Sequence, residues 1–167
     1  MAIALTGINP ASFVAISSLG GDNESYVLNH VYYAPGTGKF YRFVYNPGAD
    51  TIVAGDVVGW FSTTPAFGHV SSTSATIIVE AITSSGWASG IGVHSIATLK
   101  YGFLQVGGPC ETVTTDQGVA KGHGLVLDGT TDRADSVAAG EEHLVFGYAL
   151  EDDATTTLSK SMLTLAH

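Results

Sequence analysis

The chain has 167 residues, enough for one domain to bury most of the surface its unfolded form exposes but too few for a second independent core. Apolar residues make up 45% of it and Asp, Glu, Lys and Arg together only 13%, so part of the exterior is expected to be covered by another chain, the alternative being a Ser/Thr-rich monomer. Fifteen acidic residues against six basic ones give a formal charge of −9, which repels a polyanion and argues against nucleic-acid binding.

The first segment, MAIALTGINPASFVAISSLGG, carries no charged side chain. A signal peptide wants a basic start and an unbroken apolar centre, and Gly7, Asn9 and Pro10 interrupt this one. No window reaches the ~18 consecutive apolar residues of a membrane span, and no membrane partner is expected. Residues 1–22 therefore read as an arm and 23–167 as a single β domain. The apolar arm is expected to order on a partner, through Ile3, Leu5, Ile8 and Phe13.

Beyond the arm, helical periodicity is nearly absent and Gly and β-branched residues are frequent, which predicts an all-β fold, a small β-barrel or sandwich. Strands are expected at 26–33, 39–45, 56–61, 76–82, 90–97, 101–106, 111–115, 123–127 and 143–150. Residues 26–45, YVLNHVYYAPGTGKFYRFVY, read as an aromatic β-hairpin turning at Ala34-Pro35-Gly36-Thr37-Gly38. Its second strand sets Phe40, Arg42 and Val44 on one face and Tyr41, Phe43 and Tyr45 on the other, so both faces are largely apolar. Such a hairpin is either central to the core or pressed against a neighbouring subunit. Tyr32, Tyr33, Tyr41, Arg42, Phe43 and Tyr45 are accordingly candidate partner-binding residues. Arg42 has two readings, a salt bridge inside the fold or a reach towards a partner's carboxylate.

Further along, Ala54-Gly55-Asp56-Val57-Val58 is echoed by Ala120-Lys121-Gly122-His123-Gly124-Leu125-Val126. The later stretches Ile91-Gly92-Val93-His94-Ser95-Ile96-Ala97 and Phe146-Gly147-Tyr148-Ala149-Leu150 rhyme in turn. Two related β-units would explain this, and chance likeness among Gly-rich strands competes. At the C-terminal end an acidic turn precedes TTTLSKSMLTLAH, a final strand with Leu158, Met162, Leu163 and Leu165 partly buried, or one short helix.

Catalytic patterns are mostly wanting. The glycines of YGFLQVGGPCETVTTDQGVAKGHGLVL lead into strands and not into a helix, and Lys121 precedes its glycine, so neither a P-loop nor a dinucleotide fingerprint forms. Ser89 in GWASG stands one place too late for a nucleophile elbow. Cys110 is the only cysteine and reads as buried and inert; a reactive thiol would want a histidine such as His94 or His123 beside it. Six histidines show no metal-ligand spacing, and the clusters Glu141-Glu142-His143 and Asp128/Asp132/Asp135 read as solvated turns, with a weak ion site as the minor alternative. Neither cofactor nor metal is expected. Asn23-Glu24-Ser25 forms a sequon, which means little without a secretory signal.

Taken in order, FYRFVYNPGADTIVAGDVV, AGDVVGW, IGVHSIA, YGFLQVGGP, VAKGHGLVL and FGYAL resemble the succession seen in tailed-bacteriophage capsid decoration proteins, also called head-stabilising or cement proteins. The likeness spans roughly residues 40–150. Gly55 and Asp56 match the turn before the family's first barrel strand, Gly102 and Phe103 its glycine-aromatic step, and Gly108 and Pro109 the turn after it. Gly122 and Gly147 match a later turn and strand. These are scaffold positions, and the family lends no catalytic residue. The long aromatic hairpin and the chargeless N-terminus depart from its pattern. The resemblance implies a structural virion protein, not an enzyme, commonly a homotrimer, that binds the major capsid protein on the outer capsid surface and stabilises the expanded shell. It would reside in the host cytoplasm during assembly. Two other classes compete. One is a carbohydrate-binding or host-attachment module stacking sugars on Trp60, Trp87 and the Tyr32/Tyr33 pair, both tryptophans being otherwise expected inside. The other is a hydrolase, for which no spacing speaks.

Overall fold

Aromatic and β-branched residues crowd Lys39–Asn46, and burial on both faces explains why its two alternating sets are both apolar. In a computed structural model that describes residues 3–4, 26–61, 68–71, 86–116, 118–128, 131–153 and 158–165, this segment is the third of eleven strands. The strand expected at 76–82, the sequon and arm residues Leu5, Ile8 and Phe13 lie outside the described residues. The strands are β1 (Ile3–Ala4), β2 (Val31–Ala34), β3 (Lys39–Asn46), β4 (Val57–Trp60), β5 (Val70–Ser71), β6 (Ala88–Gly92), β7 (Lys100–Thr114), β8 (Gly124–Leu127), β9 (Ala134–Ser136), β10 (Gly147–Ala149) and β11 (Leu158–Thr164). Among the described residues a 3-10 turn covers Glu142–Leu144, and the fold is all-β, as composition predicts.

All eleven strands belong to one sheet, in the order β1-β2-β3-β7-β11-β10-β8-β9, with β6 joining β7 to β4 and β4 pairing β5. Every pair is antiparallel except β1 with β2, where Ile3 and Ala4 face Tyr32 and Tyr33 in parallel register. Gly86, just ahead of β6, bridges Leu127 at the end of β8, so the two arms of the sheet meet again beyond β7.

β7 organises this layout. Two strands, 101–106 and 111–115, are expected with a Gly-Gly-Pro turn between them; instead one strand of 15 residues runs through. Its first half pairs with β3 (Arg42 opposite Leu104) and, on the other edge, with β6 (Ile91 opposite Gln105). Its second half pairs with β11 (Met162 opposite Pro109). Gly108 makes the passage possible: its φ is +81°, and a Cβ there would run into the Gly38 carbonyl oxygen of the hairpin turn. The expected turn at Gly108-Pro109 is thus a bend inside a strand.

Other boundaries differ: the strand expected at 143–150 is a 3-10 turn at Glu142–Leu144 followed by the short strand Gly147–Ala149. Residues 26–30 form a turn, with the His30 amide donating to the Val27 carbonyl and Asn29 at φ +61°, so the hairpin strand begins only at Val31. β6 ends at Gly92, and 93–99 is a loop in which Ile96 makes a lone bridge to Ile52.

The internal echo is a structural one. In the first unit the Gly55 amide donates to the Gly92 carbonyl, the Gly92 amide to Asp56 and the Asp56 amide to Val53. In the second the Gly122 amide donates to Ala149, Ala149 to His123 and His123 to Ala120. Bridges at the same spacing, Ile52 with Ile96 and Val119 with Asp153, close both. Register therefore aligns Gly92 with Ala149 and not with Gly147, two residues away from the alignment that the letters suggest.

Three cores result. Tyr32, Tyr41, Phe43 and Phe103 pack on one face of the hairpin, and Val44, Ile52, Val58, Val70, Ile96 and Leu104 on its other face. The largest core lies between the two units and β7–β11, built from Val57, Ile91, Cys110, Val113, Leu125, Leu127, Phe146, Ala149 and Leu163 among others.

Candidate partner-binding surface

The candidate residues of the hairpin are mostly interior. Tyr32, Tyr41, Arg42 and Phe43 are buried within the chain, while Tyr33 and Tyr45 are half-buried. Phe43 touches Tyr26 and Phe103 at 5.3 and 5.0 Å between ring centroids, and stacks on Tyr101 at 5.9 Å. The Tyr32 hydroxyl accepts the Val27 amide at 2.7 Å, and Tyr26 meets that ring edge-on at 5.8 Å. Tyr41 lies deep enough that burial, with Cys110 adding to it, pushes its hydroxyl up to about 12. Of the two settings open to this hairpin, these four side chains occupy the core, while Tyr33 packs on Phe40 and Tyr45 on Tyr101 and His69. Ile3 is placed by its backbone on the edge of β2.

Among the described residues Arg42 bonds to carbonyls and not to the carboxylate that a salt bridge inside the fold would require. Its guanidinium donates to the Ser89 carbonyl at 2.9 Å and the Leu165 carbonyl at 3.2 Å, and lies over the Trp60 ring at 5.1 Å. Its Nε and the Ser89 hydroxyl are buried without a hydrogen-bond partner among the described residues. Burial lowers its proton affinity, as expected for a cation taken out of water.

Large apolar side chains are exposed elsewhere. β10 alternates Gly147 in, Tyr148 out, Ala149 in, and Leu150 continues outward. Tyr148 pairs directly with Met162 of β11, and the three outward side chains are 48%, 40% and 39% exposed for Tyr148, Leu150 and Met162. Met162 is thus turned outward, against its expected partial burial, while its neighbour Leu163 is inside. Trp87, expected inside, is 42% exposed with His143 edge-on at 5.8 Å; Trp60 is half-buried against Arg42. Sequence reasoning missed the strip because it assigns large apolar residues inward. The signal was the alternation itself, small residues in and large ones out.

Other chemistry-bearing groups are held within the fold. Cys110 is buried, and burial raises its thiol, outweighing hydrogen bonds with Thr112 that pull the other way. Asp153 and Thr115, both buried, hydrogen-bond each other. Glu141 receives the Ala138 amide at 2.9 Å. Among the described residues no three His, Cys, Asp or Glu side chains come together to hold a metal ion. None of the described helical turns is long and apolar enough to cross a membrane.

What these features define is a class: an all-β protein with an aromatic hairpin locked into its core and a short apolar strip left outside. No family model and no curated protein matches the chain. Among solved structures it is similar to the N base of the head fiber gp8.5 of bacteriophage phi29, at 14% identity and a TM-score of 0.46, over 75% of this chain and 94% of that one.

Proposed function

We propose that the chain is a structural virion protein that binds the outside of an icosahedral phage capsid as a homotrimer and stabilises the expanded shell. The observation that carries this reading is a charge-poor β domain that leaves Trp87, Tyr148, Leu150 and Met162 more than a third exposed. Apolar side chains held out on rigid strands suit docking against protein, and repetition around a three-fold axis multiplies weak contacts into avidity. The partner in this reading, the major capsid protein, is what the resemblance of the ordered motifs to decoration proteins implies. The acidic charge keeps such a subunit soluble before it reaches the shell.

The test is to add the purified protein to expanded heads that lack it. Saturable co-sedimentation and a higher temperature of shell disruption are expected; heads that neither bind it nor gain heat resistance would remove the reading. Exposure of Trp87 beside His143 favours one second reading, a saccharide-stacking site. A Trp87-dependent signal on a glycan array would promote it over the first.

A further inference from the structure

Past the start of β2, the same edge of β3 is taken up by two further segments that are far apart in sequence. The first is the turn at 26–30: the Asn29 amide donates to the Phe43 carbonyl at 2.7 Å, and the Phe43 amide donates to the His30 carbonyl at 3.1 Å. The second meets Tyr45, whose amide donates to the Gly68 carbonyl at 3.0 Å and which bridges His69 in parallel register. The two segments touch, since a Cβ added at Gly68 would lie 3.2 Å from the Asn29 amide nitrogen. Phe43 and Tyr45 share one face of β3, so their neighbours His30 and His69 share it too, in successive rows about 7 Å apart. Ring contacts agree: His30 meets Tyr32 edge-on and His69 lies tilted against Tyr45, each at 5.1 Å between centroids. This is the placement of a His-x-His pair on a single strand, assembled from two segments and therefore invisible to a search for that spacing in the sequence.

His30 Nε2, His69 Nδ1 and Asn29 Oδ1 are each buried without a hydrogen-bond partner among the described residues. A neutral imidazole offers a lone pair at one ring nitrogen and an amide oxygen offers two, so one cation would satisfy three atoms where a single N–H or O–H donor satisfies one. We propose that His30 and His69, with Asn29 as third ligand, form a site for a divalent transition-metal ion of the zinc or nickel kind. Two imidazoles select that class, because calcium and magnesium take oxygen ligands throughout. Both histidines are half-buried as residues, which leaves a solvent side by which the ion enters and from which water completes its shell. Once bound, the ion would pin 68–69 to the turn at 26–30 along the edge of β3. The site shares no residue with the exposed set Trp87, Tyr148, Leu150 and Met162, so it stands or falls separately from the capsid-binding function.

Calorimetric titration of the chelator-treated full chain with zinc chloride tests it. The wild type is expected to take up one ion with a Kd of about 10 μM or tighter, and calcium chloride is expected to give no saturable heat. His30→Gln and His69→Gln should each weaken zinc binding at least tenfold, whereas His143→Gln, beside the exposed Trp87, should leave it unchanged. Asn29→Gly keeps the positive φ of that turn and should weaken binding several-fold; unchanged binding would strike the amide from the ligand set. Should the histidine variants fail to fold, the wild type still decides: the ring-nitrogen resonances of His30 and His69 should move together as zinc is added. A wild type that gives no saturable heat up to about 1 mM zinc overturns the proposal. So does binding that survives loss of both histidines, or a zinc titration that moves the rings of other histidines while these two stay.

Discussion

Asp56 lies buried at the start of β4, its carboxylate accepting the Val53 amide at 2.7 Å. Burial raises its pKa to about 6, the Val53 amide opposing and Asp132 adding to the rise. A folded value above the ordinary 3.8 means that the proton is held more tightly in the native state. The stability it contributes is thus fully present below about pH 3.8 and lost as pH rises through about 6. Asp56→Asn keeps an acceptor for Val53 and removes the titration. Relative to this variant, the wild type should lose about 1–2 kcal/mol between pH 4 and 7.5, solvent screening allowed for. Parallel urea-unfolding stabilities across that range would refute it. Comparison with the variant matters because His94 has the opposite sign. Burial lowers it, and its Nε2 accepts the Phe103 amide at 3.0 Å, a bond that protonation would break. Its contribution is present above the ordinary histidine value and lost as pH falls. Neither Asp56 nor Arg42 was readable in this detail. A turn before a strand was visible around Asp56, but the Ser89 and Leu165 carbonyls that hold Arg42 lie 47 and 123 residues away in sequence.

At the scale of elements, the paired turn-and-strand units make the most of a faint sequence signal. Their turns were legible because glycine at positive φ, Gly55 at +100° and Gly122 at +85°, punctuates the chain. Their partner strands were misaligned by letter matching, since hydrogen-bond register sets the equivalence and Gly92 answers to Ala149. The two positions tolerate a Cβ differently. At Gly92 an added Cβ would strike the Val53 carbonyl oxygen, a backbone atom that cannot swing away, whereas Ala149 already carries one in the core. Gly92→Ala should destabilise the protein by about 3 kcal/mol, and Ala149→Gly by only about 1 kcal/mol, read from urea midpoints at constant m-value. Equal costs at both sites would show that the units do not differ in this way. β7 teaches the same lesson. Gly107-Gly108-Pro109 has the composition of a turn, yet with β3 and β11 bonded to its opposite edges it continues as a strand.

For the whole molecule, the expected division into an arm and a domain can be tested. Among the described residues, β1 adds Ile3 and Ala4 to the edge of β2, and the three cores are built from residues 26–165. If 1–22 is an arm, removing it should change stability by less than about 1 kcal/mol, within the range of surface changes. It should also weaken head binding, since the arm's apolar, chargeless composition suits ordering on a partner. A large drop in melting temperature would instead make the arm part of the fold. Composition and period alone determined that this is an all-β chain, short of charge, with an aromatic hairpin and Gly-punctuated turns, because those properties depend on residues close together in sequence. How the hairpin's two faces were divided between two cores, and what Arg42 bonds to, were decided only by tertiary structure. Each turns on strands far apart in the chain meeting in one register, and a shift of one residue would reverse every side chain between core and solvent.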